Sequence, residues 1–211
     1  MILYPQRMVK TYRLLRILPR LKSIYYQWYN RLYFTLAGVK YGKRMRVTNK
    51  VYVIGPGSVT IGDCFTFTSD DCINPLCRNI RGALYTVSRH SSIVIGDDVG
   101  ISSSCLWAKE KIVIGNHVKI GGDCLIMDND VHPHDYLGRR TFSGYFSTQV
   151  KDAVRSEPVI IEDDAWIGAR CIILKGVHIG ARTIIAAGSV VTKSIPPDTV
   201  AGGNPCRVLM G

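Results

Sequence analysis

The stretch Asp128-Asn-Asp-Val-His-Pro-His134 gathers two carboxylates and two imidazoles within one short segment. An imidazole titrates near pH ~6.5, so it can take a proton from a hydroxyl at neutral pH and return it to a leaving group. His132 is the candidate general base and His134 a candidate supporting or substrate-binding group. Asp128 or Asp130 could fix the imidazole tautomer and stabilise the imidazolium; residue order alone does not choose between them. The plainer alternative is a solvated turn stiffened by Pro133. His90, His117 and His178 read as surface turn residues.

The elements that would hold these groups show themselves as a repeat. From Ile161 an aliphatic residue recurs every sixth position, through Ile167, Ile173, Ile179 and Ile185 to Val191. Ile95, Ile101 and Trp107 keep the same step. Ile114, Ile120 and Ile126 keep it after a shift of one, and Ile61 and Phe67 make a shorter echo. Six matches neither a helix nor an ordinary strand, but it fits a strand of four or five residues followed by a turn. Within each strand position i+4 faces the same way as position i. Val99, Cys105, Val118, Cys124, Ala165, Cys171, Val177, Thr183 and Ser189 stand there, small enough for a narrow interior. Three such strands make a triangular coil, and coils stack about 4.8 Å apart. The step from Ile114 fails at His132, and the pattern is suspended until Ile161, which makes residues 133–158 a protruding loop of the kind that shapes sites.

Charge divides the chain differently. Of 27 Lys and Arg, 12 lie in residues 1–62, which hold no Asp or Glu, while the net charge of the whole is +11. The remainder is close to neutral. Residues 1–44 read as a basic amphipathic helical segment, with Lys10, Arg13 and Arg20 on one face and Leu14, Leu18, Leu21, Tyr25 and Trp28 on another, and Pro19 as a break or kink. Residues 45–211 read as the repeat domain. Such a helix suits either the surface of an anionic membrane, through residues 1–40, or packing on the prism. No apolar run approaches the roughly 20 residues that span a bilayer. No nucleic-acid module accompanies the charge, so no nucleic acid is expected as partner. The seven cysteines are odd in number and form no CxxC; they read as buried fillers in a reducing compartment, with no metal expected.

"DNDVHP" and the run "IGARCIILKGVHIGARTIIAAGSVVTKSIPPDTVAGGNPCRVL" resemble the hexapeptide-repeat acyltransferases, in particular the sugar O-acetyltransferases of the maltose, galactoside and nodulation-factor type. The resemblance covers about residues 50–209. It implies an all-β fold, a left-handed parallel β-helix, with an N-terminal helical segment and a protruding loop. It also implies acetyl-CoA as co-substrate, direct transfer to a sugar hydroxyl with His132 as base, and sites shared between neighbours in a homotrimer. By the same resemblance Trp166, Ala169, Ala187, Thr192, Lys193 and Arg207 line the acetyl-CoA site. Ser102 stands where the family has an acceptor-binding amide. Lys109 or Glu110 stands where the galactoside branch has an acceptor-binding acid, a departure that separates this chain from that specificity. The expected place is the cytoplasm, at the inner face of the membrane if the helix meets lipid, and the expected role is surface or capsular polysaccharide assembly. Other acceptors, an amino sugar, serine or an antibiotic, would keep the same fold. A γ-type carbonic anhydrase would also share the prism, but His117, His132 and His134 lack the spacing it requires.

Overall fold

A computed structural model describes residues 17–69, 74–77, 80–141 and 154–211; the side chains of residues 17–20 and 141 are outside that description, as are Lys10, Arg13 and Leu14. Helix α1 (Ile17–Leu36) precedes the repeat. Pro19 stands among the first described residues of that helix, which runs on to Leu36. The first coil then holds β1 (Lys40–Tyr41), β2 (Arg46–Thr48) and β3 (Tyr52–Ile54). The boundary expected at residue 44 therefore lies inside that coil.

The second coil holds β4 (Ser58–Ile61), β5 (Thr66–Thr68) and β6 (Ala83–Thr86); the third holds β7 (Ser92–Ile95), β8 (Gly100–Ser102) and β9 (Cys105–Ala108). The fourth holds β10 (Lys111–Ile114), β11 (Lys119–Ile120) and β12 (Leu125–Met127). The loop carries a short helix, α2 (Tyr136–Thr141). Beyond it come β13 (Val159–Ile161), β14 (Trp166–Ile167) and β15 (Ile172–Ile173), then β16 (His178–Ile179), β17 (Ile184–Ile185) and β18 (Val190–Val191). The chain closes with β19 (Val200–Gly202) and β20 (Arg207–Met210). Up to β18 every third strand joins one sheet, β1-β4-β7-β10-β13-β16 forming the first face, while β19 and β20 extend the second after β17; all strand pairings are parallel except β19 with β20. The architecture is a left-handed parallel β-helix.

The six-residue step is the inner wall. Ile161, Ile167, Ile173, Ile179, Ile185 and Val191 are all fully buried. Each such side chain removed from water contributes about 1.5–3 kcal/mol, offsetting the ordering of its short strand. Two positions depart from the expected pattern. Leu106 is buried and Trp107 faces outward, and Cys105 likewise faces outward while Ser104 is buried. The reason is a corner one residue shorter than the one above: Ile101 pairs with Ile120, yet Leu106 pairs with Ile126. Ser103, with φ of 29°, makes that tight turn.

The recurrent Ile-Gly-Asp texture has its own cause. At the corner after the first face each acidic or amide side chain reaches down to the coil below: Asp163 Oδ1 accepts from Asn116 N at 2.7 Å, Asn116 Oδ1 from Asp97 N at 2.9 Å, and Asp97 Oδ1 from Asp63 N at 2.6 Å. Glycine must stand beneath that reach, since a Cβ on Gly115 would lie 2.2 Å from Asp163 Oδ1. The next residue takes a left-handed φ, as at Asp98, His117 and Asp164. His117 is thus a corner residue. His178 instead sits outward on β16, its Nε2 2.7 Å from Glu162 Oε1.

α1 closes the N-terminal end of the prism. Phe34 is buried in the core, and Asn30 Nδ2 donates to Val47 O and Asn49 O. No described helix is long and apolar enough to cross a membrane.

Candidate active site

His132 follows β12 at the corner between the third and first faces, where the loop leaves the prism. The segment is pinned from both sides. Asn129 bridges Ser156 across the neck of the loop, Asp130 N donates to Arg155 O at 3.1 Å, and Glu157 N donates to Asp128 O at 2.9 Å. Asn129 Oδ1 accepts from Val131 N, and Val131 takes a φ of 64°. That left-handed β-branched residue costs energy which the surrounding bonds must offset, and it turns the chain so that His132 N donates to Asp130 O at 2.6 Å. His132 and His134 are exposed, with Pro133 buried between them.

The two aspartates have different surroundings. Asp128 is completely buried. Its Oδ1 accepts from Lys109 N at 2.7 Å and from Asn129 Nδ2 at 3.0 Å, and its Oδ2 accepts from Glu110 N at 2.7 Å and Lys111 N at 2.6 Å. Those four bonds fill the carboxylate's acceptor sites and hold the corner of the coil below. Asp130 lies near the surface between Lys175 and His134: Lys175 Nζ is 2.7 Å from its Oδ1, and His134 Nε2 is 2.7 Å from its Oδ2. The His134 contact is off the direction of a ring hydrogen bond, so its strength depends on protonation of the imidazole. Lys109, the other cation at this corner, donates through Nζ to Val154 O.

Lys175 is the site residue that the sequence pattern did not single out. It stands on the same corner one coil above Asp130, 45 positions away along the chain, and the loop between them hides the relation. The usable signal is register: Ile126 pairs with Ile173, so the residues just after each share a corner. Asn74 is the second such residue. Its Nδ2 donates to Ser102 Oγ at 3.1 Å, bringing an amide from an inserted loop to the position where the repeat itself has a hydroxyl.

The six residues expected at the acetyl-CoA site divide between two corners. Trp166 points outward from the second face, 57% exposed. Ala169 and Ala187 occupy the corner after that face in successive coils, where Gly188 N donates to Ala169 O at 2.9 Å. Exposed Arg207 lies on β20, beside Gly202 at the end of that face. Thr192 and Lys193, both exposed, follow β18 on the other corner, the one that carries His132. The small, accessible alanines leave corner backbone open to a thin chain, and Lys193 and Arg207 offer cations to phosphates, so these residues fit a CoA ligand. His117 is on a third corner, beside Asp98, apart from His132 and His134. Among the described residues no three His, Cys, Asp or Glu side chains converge as a metal site.

Residues 158–193 match the family model described as the hexapeptide repeat of succinyl-transferase. A solved hexapeptide-repeat acetyltransferase from Vibrio cholerae is 29% identical, with 82% of this chain and 73% of that one covered and a TM-score of 0.51. The chain is thus similar to the hexapeptide-repeat acyltransferases. Among curated proteins it is 40% identical to the galactoside O-acetyltransferase of Lactococcus lactis subsp. lactis over 97 residues, 46% of this chain and 42% of that protein, and 50% identical to a 2,3,4,5-tetrahydropyridine-2,6-dicarboxylate N-acetyltransferase of Staphylococcus aureus over 54 residues, 26% of this chain and 23% of that protein. The chain thus spans less than half the length of the curated relatives it matches. The N-acyltransferase AntD of Bacillus cereus, solved with dTDP and 3-hydroxybutyryl-CoA, shares the fold at 20% identity, covering 86% and 87% of the two chains with a TM-score of 0.66.

Proposed function

We propose that the protein is an acetyl-CoA-dependent O-acetyltransferase acting on a sugar hydroxyl, working in the cytoplasm in surface or capsular polysaccharide assembly. The observation that carries this reading is the exposed imidazole of His132, held at the mouth of the loop by a backbone braced from two coils. His132 takes the proton of the acceptor hydroxyl as that oxygen attacks the thioester carbonyl. It then returns the proton to the departing sulfur. The O–H and C–S bonds break, the C–O and S–H bonds form, and no acyl-enzyme is needed. Asp128 serves by holding the corner rather than by touching the imidazole. Asp130, tied to Lys175, places its carboxylate at His134. Its 2.7 Å contact favours a second reading, in which His134 is the base and His132 supports it.

The assembly we propose is a homotrimer. Ala169 and Ala187 occupy one corner and Thr192, Lys193 and His132 another, with the third face between them. One prism cannot fold both corners around a single ligand, whereas a threefold-related neighbour brings the first corner of one chain to the second corner of the next. The face between is apolar and half-buried at its outward positions, Leu125, Met127, Ile172, Leu174 and Val190, as an interface would be.

The test is transfer from labelled acetyl-CoA to a panel of sugars, amino sugars, serine and aminoglycosides, with base-labile ester and base-stable amide products separated. Ester formed on a neutral sugar supports the reading. Amide on an amino sugar as the sole product replaces the acceptor, and CO2 hydration with no CoA binding replaces the reaction.

A further inference from the structure

α1 is apolar on both sides, and only one side is used by the prism. Asn30 and Phe34 face inward, and Tyr33 Oη donates to Val53 O from the edge of that face. On the opposite side Leu21, Ile24, Tyr25, Trp28, Leu32 and Leu36 are each more than half exposed, Trp28 at 71% and Leu36 at 77%. Their spacing of three and four puts them on one stripe, covering roughly a third of the helix circumference. Arg31 borders it on one side and Lys22 on the other. Exposed Lys40, Lys43, Arg44 and Arg46 follow in the first coil at the same end of the prism. The nearest acid in sequence is Asp63, whose Oδ1 is occupied by Lys43 N.

We propose that this stripe docks the protein on an anionic lipid surface. α1 would lie in the membrane plane, with its leucines and Trp28 at the level of the upper acyl chains and Lys22 and Arg31 extending from the stripe's edges to the headgroups. Charge favours lipid over a protein partner. Twelve basic and no acidic residues in positions 1–62 match a uniformly negative surface, and each cation near such a surface adds to the attraction. The aromatic members, Trp28 and Tyr25, are the types that settle where an apolar body and a wet edge meet. With α1 capping the N-terminal end, the prism stands with that end on the membrane and its later coils away from it. This orientation suits an acceptor held at the membrane by a lipid.

The experiment uses the full chain and vesicles of two compositions, phosphatidylcholine alone and equal parts phosphatidylcholine and phosphatidylglycerol, separated by flotation. The wild type is expected to float with the mixed vesicles at low salt and to be released by high salt. Its tryptophan emission is expected to shift to the blue, and Trp28→Phe is expected to remove the shift. The double variant Trp28→Ser/Leu32→Ser, altered only at exposed positions, is expected to bind the mixed vesicles roughly tenfold or more weakly with an unchanged melting temperature. Lys22→Glu/Arg31→Glu is expected to lose the preference for phosphatidylglycerol. Wild type remaining with the aqueous fraction overturns the proposal, as does equal binding by the double variant. A double variant that instead changes the oligomer's size in solution overturns it too and assigns the stripe to a second copy of the chain. The readout is binding, so it stands or falls separately from acetyl transfer.

Discussion

Replacing Asp128 separates a positioning carboxylate from one that touches the reacting imidazole. The side chain is fully buried and accepts from the N–H groups of Lys109, Glu110 and Lys111 and from Asn129 Nδ2. Each bond to a charged acceptor contributes about 1.5–3 kcal/mol, and a buried donor left without a partner costs about 1–3 kcal/mol. The three amides share one corner and can relax together, so Asp128→Ala is expected to cost about 3–5 kcal/mol rather than the sum. Asp128→Asn keeps one oxygen for Lys109 N but turns an NH2 toward the Glu110 and Lys111 amides, and is expected to cost about 2–3 kcal/mol. At about 2–4 °C per kcal/mol for a chain of this size, the asparagine variant should melt roughly 4–12 °C lower. Melting at one fixed protein concentration, with and without CoA, measures this, since an oligomer's stability depends on concentration. A variant that melts with the wild type yet loses acetyl transfer refutes the reasoning, because the carboxylate would then act on the imidazole and not on the corner.

Acid should weaken the fold at the exposed corners. Backbone bonding from Ala181 and the His178 contact hold Glu162 below the usual carboxylate range, the Asn116 amide does the same for Asp163, and His117 and Lys119 do so for Asp98. Groups depressed in the folded state stabilise above their unfolded pKa and lose that contribution as pH falls through the folded one, so melting temperature should fall below about pH 4; a rise on acidification would contradict the assignment. Lys193→Ala and Arg207→Ala should each raise the KM for acetyl-CoA several-fold with kcat little changed, as expected for uniform binding of the nucleotide end. A fall in kcat with KM unchanged would move those residues from binding to chemistry. Cys124 should resist thiol reagents in the folded protein: the neighbouring Cys171 thiol together with burial pushes it up. Rapid labelling of Cys124 would mean that the prism opens there.

The fold was legible because its signal is repeated. Six aliphatic residues in register from Ile161 to Val191 name an inner wall whatever any single residue does, and the failure of the count at His132 marks the loop. What escaped was local or long-range. The shortened corner at Ser103 reverses Cys105 and Trp107, but Leu106 and Trp107 are both large apolar residues and the count alone cannot rank them. Three of the four bonds of Asp128 go to backbone groups, which carry no residue identity in the sequence. Lys175 meets Asp130, and Asn74 meets Ser102, by stacking of coils across an insertion, where separation along the chain no longer indicates distance. On α1 the leucine and tryptophan stripe was readable by period; which side met the prism was not, because Phe34 and Leu32 are equally apolar and only packing distinguishes them.

The central claim is that His132 moves the proton in acetyl transfer. Its most direct test is the rate of transfer from labelled acetyl-CoA to the best sugar acceptor, measured for wild type, His132→Asn and His134→Asn, with CoA binding and melting temperature recorded for each. General-base catalysis contributes about 10^2–10^4-fold, so His132→Asn should lose at least a hundredfold in kcat while CoA binding and stability persist, and His134→Asn should lose far less. A His132→Asn protein that keeps the wild-type rate would contradict the account, and the reverse order of the two variants would give the base's role to His134.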